Sequence, residues 1–343
     1  MPELKDHTTL RLVGGAHGLD ELVAGRRGHP VAGGAADEAG TPVLVLAGGS
    51  NVVVADEGFD GTVVHVATRG ISVASDTCGG AFVTVQAGEV WDDVVARAVE
   101  EHWVGVEALS GIPGSTGATP IQNVGAYGQE VADTIASVRC WDRVASAYKT
   151  FFAADCGFGY RTSRFKQDPG RYVVVDVTFQ LPLGDLGAPV RYAELARVLG
   201  VEQGQRAPSR EVREAVLGLR RSKGMVLDAD DHDTWSAGSF FTNPFVSPED
   251  LPEGAPAWEQ PDGTVKTSAA WLIERAGFGK GYGNGKVALS GKHTLALTNR
   301  GGATTADLLA LAAEVQRGVH EAFGVWLVNE PVLVGCDLPV PSA

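Results

Sequence analysis

Apolar residues recur along this chain with two periods, and each period predicts a different kind of element. Alternating apolar and polar residues over 82–88 and a nearly continuous apolar run over 171–181 predict β-strands. Residues 91–99 repeat every three or four positions instead. That spacing predicts a helix whose buried face is formed by Trp91, Val94, Val95, Ala98 and Val99. Both kinds of element therefore share one chain.

The same patterns predict further elements between turn residues. The composition changes around 205–222, where APSREVREAVLGLRRSKG (207–224) predicts a charged amphipathic helix with Ser209 as its N-cap. We interpret this helix as a domain boundary. The other predicted elements are strands at 42–48, 52–54 and 293–299, helices at 268–276 (closed by Gly277) and 304–324, and a final buried strand pair in 325–335. Together they predict an α+β or mixed α/β protein in three lobes, whereas the strand order stays open.

Residues 110–130, SGIPGSTGATPIQNVGAYGQE, are rich in glycine and almost free of charged side chains. No charged side chain lies between Glu107 and Glu130, and glycines occupy positions 111, 114, 117, 125 and 128. Glycine permits positive φ and close approach of the main chain to a partner. The stretch is either a set of surface turns or a cradle of N–H groups for a large ligand that carries phosphate. A second glycine turn, GGSN at 48–51, lacks the spacing and the following helix of a Rossmann motif.

Composition narrows the possible partners. The chain has 343 residues and a formal net charge of −14, so it has room for two or three domains but offers no broad basic surface for nucleic acid. The sequence shows neither a secretory signal nor an apolar run long enough to span a membrane. Its four cysteines are scattered, so we expect a cytoplasmic protein with reduced thiols, no metal site and no membrane partner.

Three segments carry side chains with candidate chemistry. Ser239 lies in GSFFTNPF, where its hydroxyl is either a hydrogen-bonded core group or a functional group in an apolar niche. GYRTSRFK groups Arg161, Arg164 and Lys166, which form either a solvated loop or a site where an arginine pairs with a substrate carboxylate. Glu330, in VWLVNEPVLVG, is a lone carboxylate in an apolar strand, where burial disfavours its charged form. We interpret Glu330 as functional.

A fourth segment, GKGYGNGKVALSGKH at 279–293, alternates lysine with glycine. Its lysines stand at 280, 286 and 292, and His293 follows the last of them. The segment is either a flexible basic loop or a clamp for a nucleotide pyrophosphate. Taken alone, it leaves both readings open.

These segments together resemble one family, UDP-N-acetylenolpyruvoylglucosamine reductase, and the resemblance runs in order along nearly the whole chain. It is carried by LKDHTTLRLVGGA, LAGGSNVVVAD, GIPGSTGATPIQNVGAYGQEV, YRTSRFK, DDHDTWSAGSFFTNP, AAWLIERAGFGKGYGNGKVALSGKHTLALTN and NEP. The resemblance implies an α+β fold with a two-lobed FAD-binding domain of the vanillyl-alcohol-oxidase (PCMH) type and a C-terminal α+β substrate domain. The implied boundaries are 1–69 with 326–343 for the first lobe, 70–206 for the second lobe and 207–325 for the substrate domain.

The resemblance also implies a noncovalently bound FAD, with NADPH as the hydride donor. The glycine segment and the GGSN turn would wrap the FAD, and main-chain amides would hold its diphosphate. Neither segment contains the His or Cys that covalent attachment uses. By motif, the FAD-binding residues are Gly48, Gly49, Ser50, Asn51, Pro113, Gly114, Ser115, Ala118, Asn123, Val124, Gly125 and Val175.

The implied reaction reduces the enolpyruvyl ether of UDP-N-acetylglucosamine-enolpyruvate to UDP-N-acetylmuramate, a step of peptidoglycan precursor synthesis. Hydride addition to the CH2 carbon builds charge on the adjacent carbon and its carboxylate. The chemistry therefore needs a cation or donor at the carboxylate and an acid for the carbon. Carried over by motif, Arg161 and Glu330 would stabilise or polarise the enolate, and Ser239 would deliver the proton.

Substrate contacts follow from the resemblance in the same way. Positions near the UDP-sugar are matched by Tyr192, Lys223, Asn243, Lys280 and His293. Tyr192 lies in an extra loop, LPLGDLGAPVRYAELARVLG, which places the chain in the subgroup that has this loop. The Gly/Ala-rich stretch 24–41 is outside the shared pattern, and we interpret it as a surface insertion. We expect a monomer.

Two alternatives compete with this interpretation. One is an oxidase or dehydrogenase of the same flavin fold that acts on another small molecule. The other is a nucleotide-sugar binding protein without redox chemistry. Reoxidation of the reduced flavin by the substrate would separate the first alternative, and a protein that stays colourless after FAD addition would indicate the second.

Overall fold

The computed structural model describes residues 4–12, 16–22, 40–76 and 79–338, with the backbone alone for 16–22 and 75–76. Contacts divide the chain into two compact units. We call them the sheet unit, residues 17–48 and 60–221, and the terminal unit, residues 1–16, 49–59 and 222–343. The predicted division into two FAD-binding lobes and a substrate domain stays a prediction. It is defined by what each part binds, whereas the two units are defined by contacts within the chain.

Strands and helices alternate irregularly through the described residues. The strands are β1 (Ala16–Leu22), β2 (Val43–Leu46), β3 (Val52–Val54), β4 (Phe59–Val66), β5 (Ile71–Asp76), β6 (Gly80–Gln86), β7 (Gly125–Ala126), β8 (Gln129–Glu130), β9 (Ile135–Asp142), β10 (Ala147–Phe152), β11 (Tyr172–Leu181), β12 (Phe245–Val246), β13 (Ala257–Glu259), β14 (Val265–Thr267), β15 (Val287–Leu289), β16 (Leu297–Asn299) and β17 (Val332–Val334). The helices are α1 (Trp91–Glu100), α2 (Arg164–Gln167), α3 (Ala193–Leu199), α4 (Ser209–Ser222), α5 (Ala269–Arg275) and α6 (Thr305–Phe323).

The sheet unit is built on an antiparallel five-stranded sheet with the strand order β10–β9–β11–β6–β5. Helix α1 packs against it with the apolar face that the sequence predicts, since all five residues of that face are buried. The Trp91 ring lies 5.6 Å from the ring of Phe179 on β11, and its Nε1 donates to the carbonyl of Leu109. This packing fixes the start of α1, and with it the chain that follows the helix.

A buried carboxylate ties three segments of the sheet unit together. Glu107 is fully buried. Its Oε2 accepts from the Gly105 N–H at 2.7 Å, and its Oε1 accepts from Gln129 Nε2 at 2.9 Å and from the Ala188 N–H at 2.5 Å. Gln129 in turn accepts from the Ala108 N–H. Every partner of the carboxylate is therefore a donor, so the position requires a group that only accepts.

Replacing Glu107 with Gln should destabilise the sheet unit, because the new NH2 group faces a buried N–H donor in either orientation. A buried donor without a partner costs about 1–3 kcal/mol. We expect the urea midpoint, followed by tryptophan fluorescence, to fall accordingly. The exposed Glu101 on the same stretch of chain provides the control, since Glu101→Gln should change stability by no more than about 0.5 kcal/mol. Equal midpoints for the two variants would contradict the assignment.

The terminal unit gathers segments that are distant in sequence. Strand β17 pairs in parallel with β3, and β15 pairs antiparallel with β16. Helix α6 begins at a capping box formed by Thr304 and Asp307 and ends at Gly324, whose φ is +69°. Asp56, directly after β3, accepts from the N–H groups of Thr305 and Ala306 and so adds a second cap to the same helix.

Most predicted elements are confirmed, including α1, α4, α5, α6 and the long strand β11. The prediction of a final buried strand pair in 325–335 is wrong, because only β17 is a strand there and Val332 is 52% exposed. The predicted strand at 293–299 shortens to β16. Ser209 is the first residue of α4 and does not cap it, since its buried Oγ has no hydrogen-bond partner within the described part of the chain. Instead, its N–H donates to the Asp185 carbonyl.

Other expectations concern thiols, membranes and the predicted insertion. Cys140, Cys156 and Cys336 are free thiols, whereas Cys78 lies outside the described residues. Almost all of the predicted insertion at 24–41 also lies outside them. Among the helices that are described, none has the length and apolar character needed to cross a membrane.

Candidate functional site

Gly48, the first residue of the GGSN turn, lies against the glycine-rich segment in the sheet unit at a very close backbone contact. A Cβ atom on Gly48 would lie 2.6 Å from the Gly114 Cα and 3.1 Å from the Ser115 nitrogen, so only glycine fits there. The N–H groups of Gly48, Gly114 and Ser115 make no hydrogen bond to any other residue that the structure describes. Close approach and available amides are the properties of a backbone cradle for an anionic group.

The rest of this cradle is anchored to the start of α1. Trp91 donates its N–H to the Gly114 carbonyl, and Thr116 and Gly117 donate to the carbonyls of Glu89 and Ala87. Ala87 donates to the carbonyl of Val175, which occupies a register shift in β11. The structure thus brings the predicted FAD-binding residues of 113–118 and 175 together around one helix start.

Asn123 and Gly125 form the next part of the segment and contact Arg161. Asn123 is buried with φ +47°, and its side chain binds Glu130 Oε2, the Gly159 carbonyl and the Ala132 N–H. Arg161 Nη2 donates to the Gly125 carbonyl at 2.9 Å, and Nη1 lies 3.5 Å from the Asn123 carbonyl. A predicted catalytic cation therefore lies against the predicted FAD-binding segment.

The three basic side chains of the motif around Arg161 make different contacts. Arg161 itself has φ +53°, which costs a non-glycine residue on the order of 1–3 kcal/mol and is typical of functional sites. Lys166 Nζ donates to the Arg161 carbonyl, and the Arg164 guanidinium lies over the Phe151 ring. Ser163 caps α2 and donates its hydroxyl to the Ile121 carbonyl. Lys166 and Ser163 thus hold the strained turn that presents Arg161.

In the terminal unit, Ser239 and Glu330 are held by one pair of neighbouring backbone segments. Phe240 and Phe241 are almost fully buried, and the Phe240 N–H donates to the Leu295 carbonyl at 2.7 Å. The Glu330 N–H donates to the Phe240 carbonyl at 2.8 Å. Ser239 precedes this buried anchor and is half-buried. Its hydroxyl makes no hydrogen bond to another residue of the described chain, so the hydrogen-bonded core alternative for Ser239 fails.

Glu330 is half-buried and lies just before β17, outside any strand. Asn51 Nδ2 lies 3.4 Å from the Glu330 carbonyl, and the Val332 N–H donates to the Asn51 carbonyl at 3.0 Å. The end of the GGSN turn, the GSFF motif and the NEP motif are therefore adjacent within the terminal unit. Arg161 belongs to the sheet unit.

Tyr192 lies at the start of α3, in the predicted extra loop, and its side chain is 48% exposed. Its ring contacts the Tyr127 ring edge-on at 5.7 Å. Tyr127 has φ +50°, and burial raises the pKa of its phenol to about 12. The Glu107 carboxylate fastens the same loop through Ala188. The loop is thus anchored at its base while Tyr192 stays accessible.

The other predicted substrate residues belong to the terminal unit. Asn243 accepts from the Ala269 N–H through Oδ1 at 3.0 Å, which fixes the amide at the start of α5. Lys280 is exposed in the loop after α5, and His293 and Lys223 are half-buried. Gly224, directly after Lys223, packs beside Lys292, since a Cβ there would lie 3.4 Å from the Lys292 Cδ. The turn at 290–293 and the Lys223–Gly224 segment are therefore neighbours.

Sequence reasoning missed the groups that hold these segments. Asp92 on α1 accepts from the Gly111 N–H and, at 2.6 and 3.0 Å, from both Nη atoms of Arg213 on α4. Burial raises the pKa of Asp92, but the Arg213 and Gly111 hydrogen bonds outweigh it and leave the pKa below its usual value. Burial also lowers the pKa of Arg220, further along α4, to about 10. No local pattern in the sequence signals such partners, because they are distant along the chain.

The sheet unit also contains a cavity of about 650 Å³, and Ala188 and Arg191 of the loop that carries Tyr192 are among its walls. Its walls include Gly80, Gly105, Gln129, Thr134, Arg191 and Arg206. It adjoins the start of β6 and the end of β11, whereas Ala87 and Val175 mark the other end of that strand pair. None of the predicted FAD-binding or substrate residues lines it.

Comparison with known proteins agrees with this arrangement. Residues 33–148 match the FAD binding domain family, which places the chain among the FAD-binding flavoproteins. Residues 230–334 match the C-terminal domain of UDP-N-acetylenolpyruvoylglucosamine reductase. The chain belongs to the UDP-N-acetylenolpyruvoylglucosamine reductase family, and it is an FAD-dependent oxidoreductase. The expected combination of an FAD-binding domain with a C-terminal α+β domain is thereby confirmed.

The relatives cover nearly the whole chain. The reductase of Cutibacterium acnes is 58% identical over 96% of this chain and 89% of its own length. That of Thermobifida fusca is 56% identical, with 98% and 97% covered. The crystal structure of the Thermus caldophilus reductase is 25% identical, covers 97% of both chains and superposes with a TM-score of 0.65.

Proposed function

We propose that this protein reduces the enolpyruvyl ether of UDP-N-acetylglucosamine-enolpyruvate to UDP-N-acetylmuramate, with NADPH as the reductant. The product would serve peptidoglycan precursor synthesis. The observation that carries the proposal is the pairing of Ser239 and Glu330. The hydrogen bond from the Glu330 N–H to the Phe240 carbonyl holds a half-buried hydroxyl and a half-buried carboxylate on adjacent segments. The hydroxyl would be the acid that protonates the carbanion, and Glu330 would polarise the enolate beside it.

The residues of the backbone cradle fit FAD. The turn at 48–51, the segment at 113–125 and Val175 would hold it, with the diphosphate on main-chain amides of Gly48, Gly114 and Ser115. The contact between Gly48 and Gly114 supports this assignment, because a Cβ at Gly48 would close the cradle. When bound, the flavin supplies hydride transfer between NADPH and the substrate.

Arg161 and Glu330 would act on the charge that develops in the substrate. Hydride addition to the enolpyruvyl CH2 carbon leaves negative charge on the neighbouring carbon and its carboxylate. A guanidinium can pair with that carboxylate through two N–H groups and lower the energy of the charged species. Ser163 and Lys166 would support this role by holding the turn in which Arg161 sits.

Ser239 would then protonate the carbon. A serine hydroxyl is a weak acid, but the carbon is strongly basic once it carries negative charge, so the transfer is favourable. The buried Phe240 and Phe241 fix the backbone on one side of Ser239, and Gly238, with φ +76°, turns it on the other. Tyr192, Lys223, Asn243, Lys280 and His293 would bind the UDP-sugar, with Tyr192 on the loop that defines the subgroup.

The test is a spectral titration of the purified holoprotein under anaerobic conditions. NADPH should bleach the visible flavin band, and the enolpyruvyl sugar should restore it with formation of UDP-N-acetylmuramate. UDP-N-acetylglucosamine, which lacks the enolpyruvyl group, should leave the flavin reduced. Reoxidation by a different small molecule alone would support an oxidase or dehydrogenase, and a protein that takes up no flavin would support a nucleotide-sugar binding protein.

The flavin should be bound without a covalent bond, since neither 48–56 nor 110–130 contains a His or Cys. Acid precipitation should therefore release all of the yellow colour into the supernatant. A pellet that retains the colour would contradict this expectation. The same preparation should regain its spectrum when refolded apoprotein is mixed with FAD.

We also propose that the protein works as a monomer in the cytoplasm. Free thiols at Cys140, Cys156 and Cys336 support a reducing compartment. Sedimentation of the holoprotein at several concentrations should give a single species of 35.8 kDa plus one flavin. A mass that doubles with concentration would show a dimer instead.

A further inference from the structure

One buried carboxylate in the terminal unit organises the turn at 290–293. Asp233 is 8% exposed. Its Oδ2 accepts from the Ser290 hydroxyl at 2.8 Å, and its Oδ1 accepts from the Gly291 N–H at 2.9 Å. Arg300 Nη2 lies 2.8 Å from the same Oδ1. All three partners are donors, so this position again requires a group that only accepts.

Ser290 links the Asp233 carboxylate to the backbone at the end of the turn. It is fully buried, and its Oγ accepts from the N–H of Lys292 at 3.0 Å and from the N–H of His293 at 3.1 Å. Because these two bonds use the oxygen as an acceptor, the hydroxyl hydrogen is left for Asp233. Each bond in the series therefore has one possible direction, and the backbone at His293 depends on a carboxylate that it does not touch.

The same carboxylate residue lies beside the segment that carries Lys223. Gly224 has φ +65°, and a Cβ there would lie 3.1 Å from the Asp233 carbonyl and 3.6 Å from the Ser290 Oγ. Lys292 is engaged elsewhere, since its Nζ lies 2.5 Å from Asp231 Oδ2. The Lys223–Gly224 segment therefore packs against the Asp233 and Ser290 pair, which in turn holds the backbone at His293.

We propose that Asp233 and Ser290 are positioning residues for binding of the UDP-sugar. They hold the turn at 290–293 so that His293 and Lys223 meet the nucleotide-sugar in a fixed relation, and neither of them contacts it. This inference rests on the proposed function, in which His293 and Lys223 are substrate ligands. It adds Asp233, from the acidic stretch before GSFF, and Ser290, from the segment 279–293, and that proposal gives a role to neither.

The direction of the hydrogen bonds makes Asp233→Asn informative. An asparagine amide must direct its NH2 either toward Ser290, whose oxygen already accepts two bonds, or toward the Gly291 N–H and Arg300. Either choice breaks the series and lets the turn shift. Ser290→Ala removes the link at its centre but keeps Asp233 paired with Arg300, so it provides a second variant that is easier to fold.

The experiment measures the binding of UDP-N-acetylglucosamine by calorimetry together with steady-state kinetics on the holoenzyme. In both variants the Kd and the KM for the enolpyruvyl sugar should rise at least about tenfold and up to about 100-fold, the range typical of small misplacements. The kcat and the flavin spectrum should change much less. The double variant should lose no more affinity for the UDP-sugar than the more affected single variant does, because both changes release the same turn.

Asp56→Asn is the matched control. It alters a carboxylate in the same unit that accepts from two backbone N–H groups, at 2.6 and 3.0 Å, but these belong to the start of α6. It should lower the thermal midpoint and leave Kd and KM unchanged. The inference is overturned if Asp56→Asn raises KM as much as Asp233→Asn does. It is also overturned if Ser290→Ala, folded and yellow, binds as the wild type does.

The wild type separates this inference from the function on which it rests. If the wild type neither binds UDP-N-acetylglucosamine nor is reoxidised by the enolpyruvyl sugar, the proposed function fails and the inference fails with it. If the wild type does both and the variants match it, only the inference fails.

Discussion

Ser239→Ala should slow reoxidation of the reduced flavin by the enolpyruvyl sugar by about 10²–10⁴-fold, the loss typical of a general acid. Folding, flavin binding and flavin reduction by NADPH should stay near normal, because none of them uses the hydroxyl. The structure supports this separation, since the Ser239 hydroxyl holds no other described residue in place. Rapid-mixing absorbance of each half-reaction measures the two rates independently.

Two variants sharpen this test. Ser239→Cys keeps a proton donor of similar reach and should recover part of the lost rate. Ser247→Ala removes a hydroxyl in the same unit that, among the described residues, bonds only to Asp250 near the surface, so it should leave both half-reactions unchanged. Wild-type reoxidation in Ser239→Ala would mean that the proton comes from another group.

Arg161→Ala should cost on the order of 2–5 kcal/mol in the reoxidation step, the loss typical of a desolvated pair with a carboxylate. This corresponds to a rate reduction of about 30- to 5,000-fold. Flavin reduction by NADPH should fall much less, since that step has no carboxylate to stabilise. The same rapid-mixing traces measure both effects.

The contacts of Arg161 with the Asn123 and Gly125 carbonyls raise a competing role, which is to hold the FAD-binding segment. Equal losses in both half-reactions, together with weaker FAD binding, would favour that role. Arg164→Ala is the matched control, because Arg164 belongs to the same motif but lies over the Phe151 ring, away from the segment. Arg161→Gly adds a second comparison, since glycine relieves the strain at φ +53° but also removes the guanidinium.

Much of the fold could be predicted from the sequence where the signal is local. The period of α1 and the alternation of β6 follow from burial on one face. The role of the glycine segment stays a prediction, but the structure gives a steric reason for one of its glycines, since a Cβ on Gly117 would lie 2.5 Å from the Ala87 Cβ. Ser239 and Glu330 came from motifs, and the structure shows adjacency that no spacing of 91 positions could reveal.

What the sequence did not predict depends on partners that are distant along the chain. The apolar residues around Glu330 predict a buried strand. However, Pro331 has no N–H to donate, and the neighbouring backbone bonds to Phe240 and Asn51 instead. Ser209 has the residue type of an N-cap, yet its buried Oγ has no hydrogen-bond partner among the described residues. Glu107 and Asp233 are acidic residues with no distinctive local sequence pattern. Only the fact that all of their hydrogen-bond partners are donors distinguishes them from surface carboxylates.

The pairing of β3 with β17 has a consequence for synthesis on the ribosome. Residues 52–54 are synthesised before residues 60–221, whereas their partner strand at 332–334 is synthesised after them. Asp56 likewise waits for the start of α6, and the Thr9 hydroxyl waits for the Ser236 carbonyl. Residues 60–221 are contiguous and can form the five-stranded sheet first. Residues 52–54, Asp56 and Thr9 therefore stay without these partners until residues beyond 221 emerge.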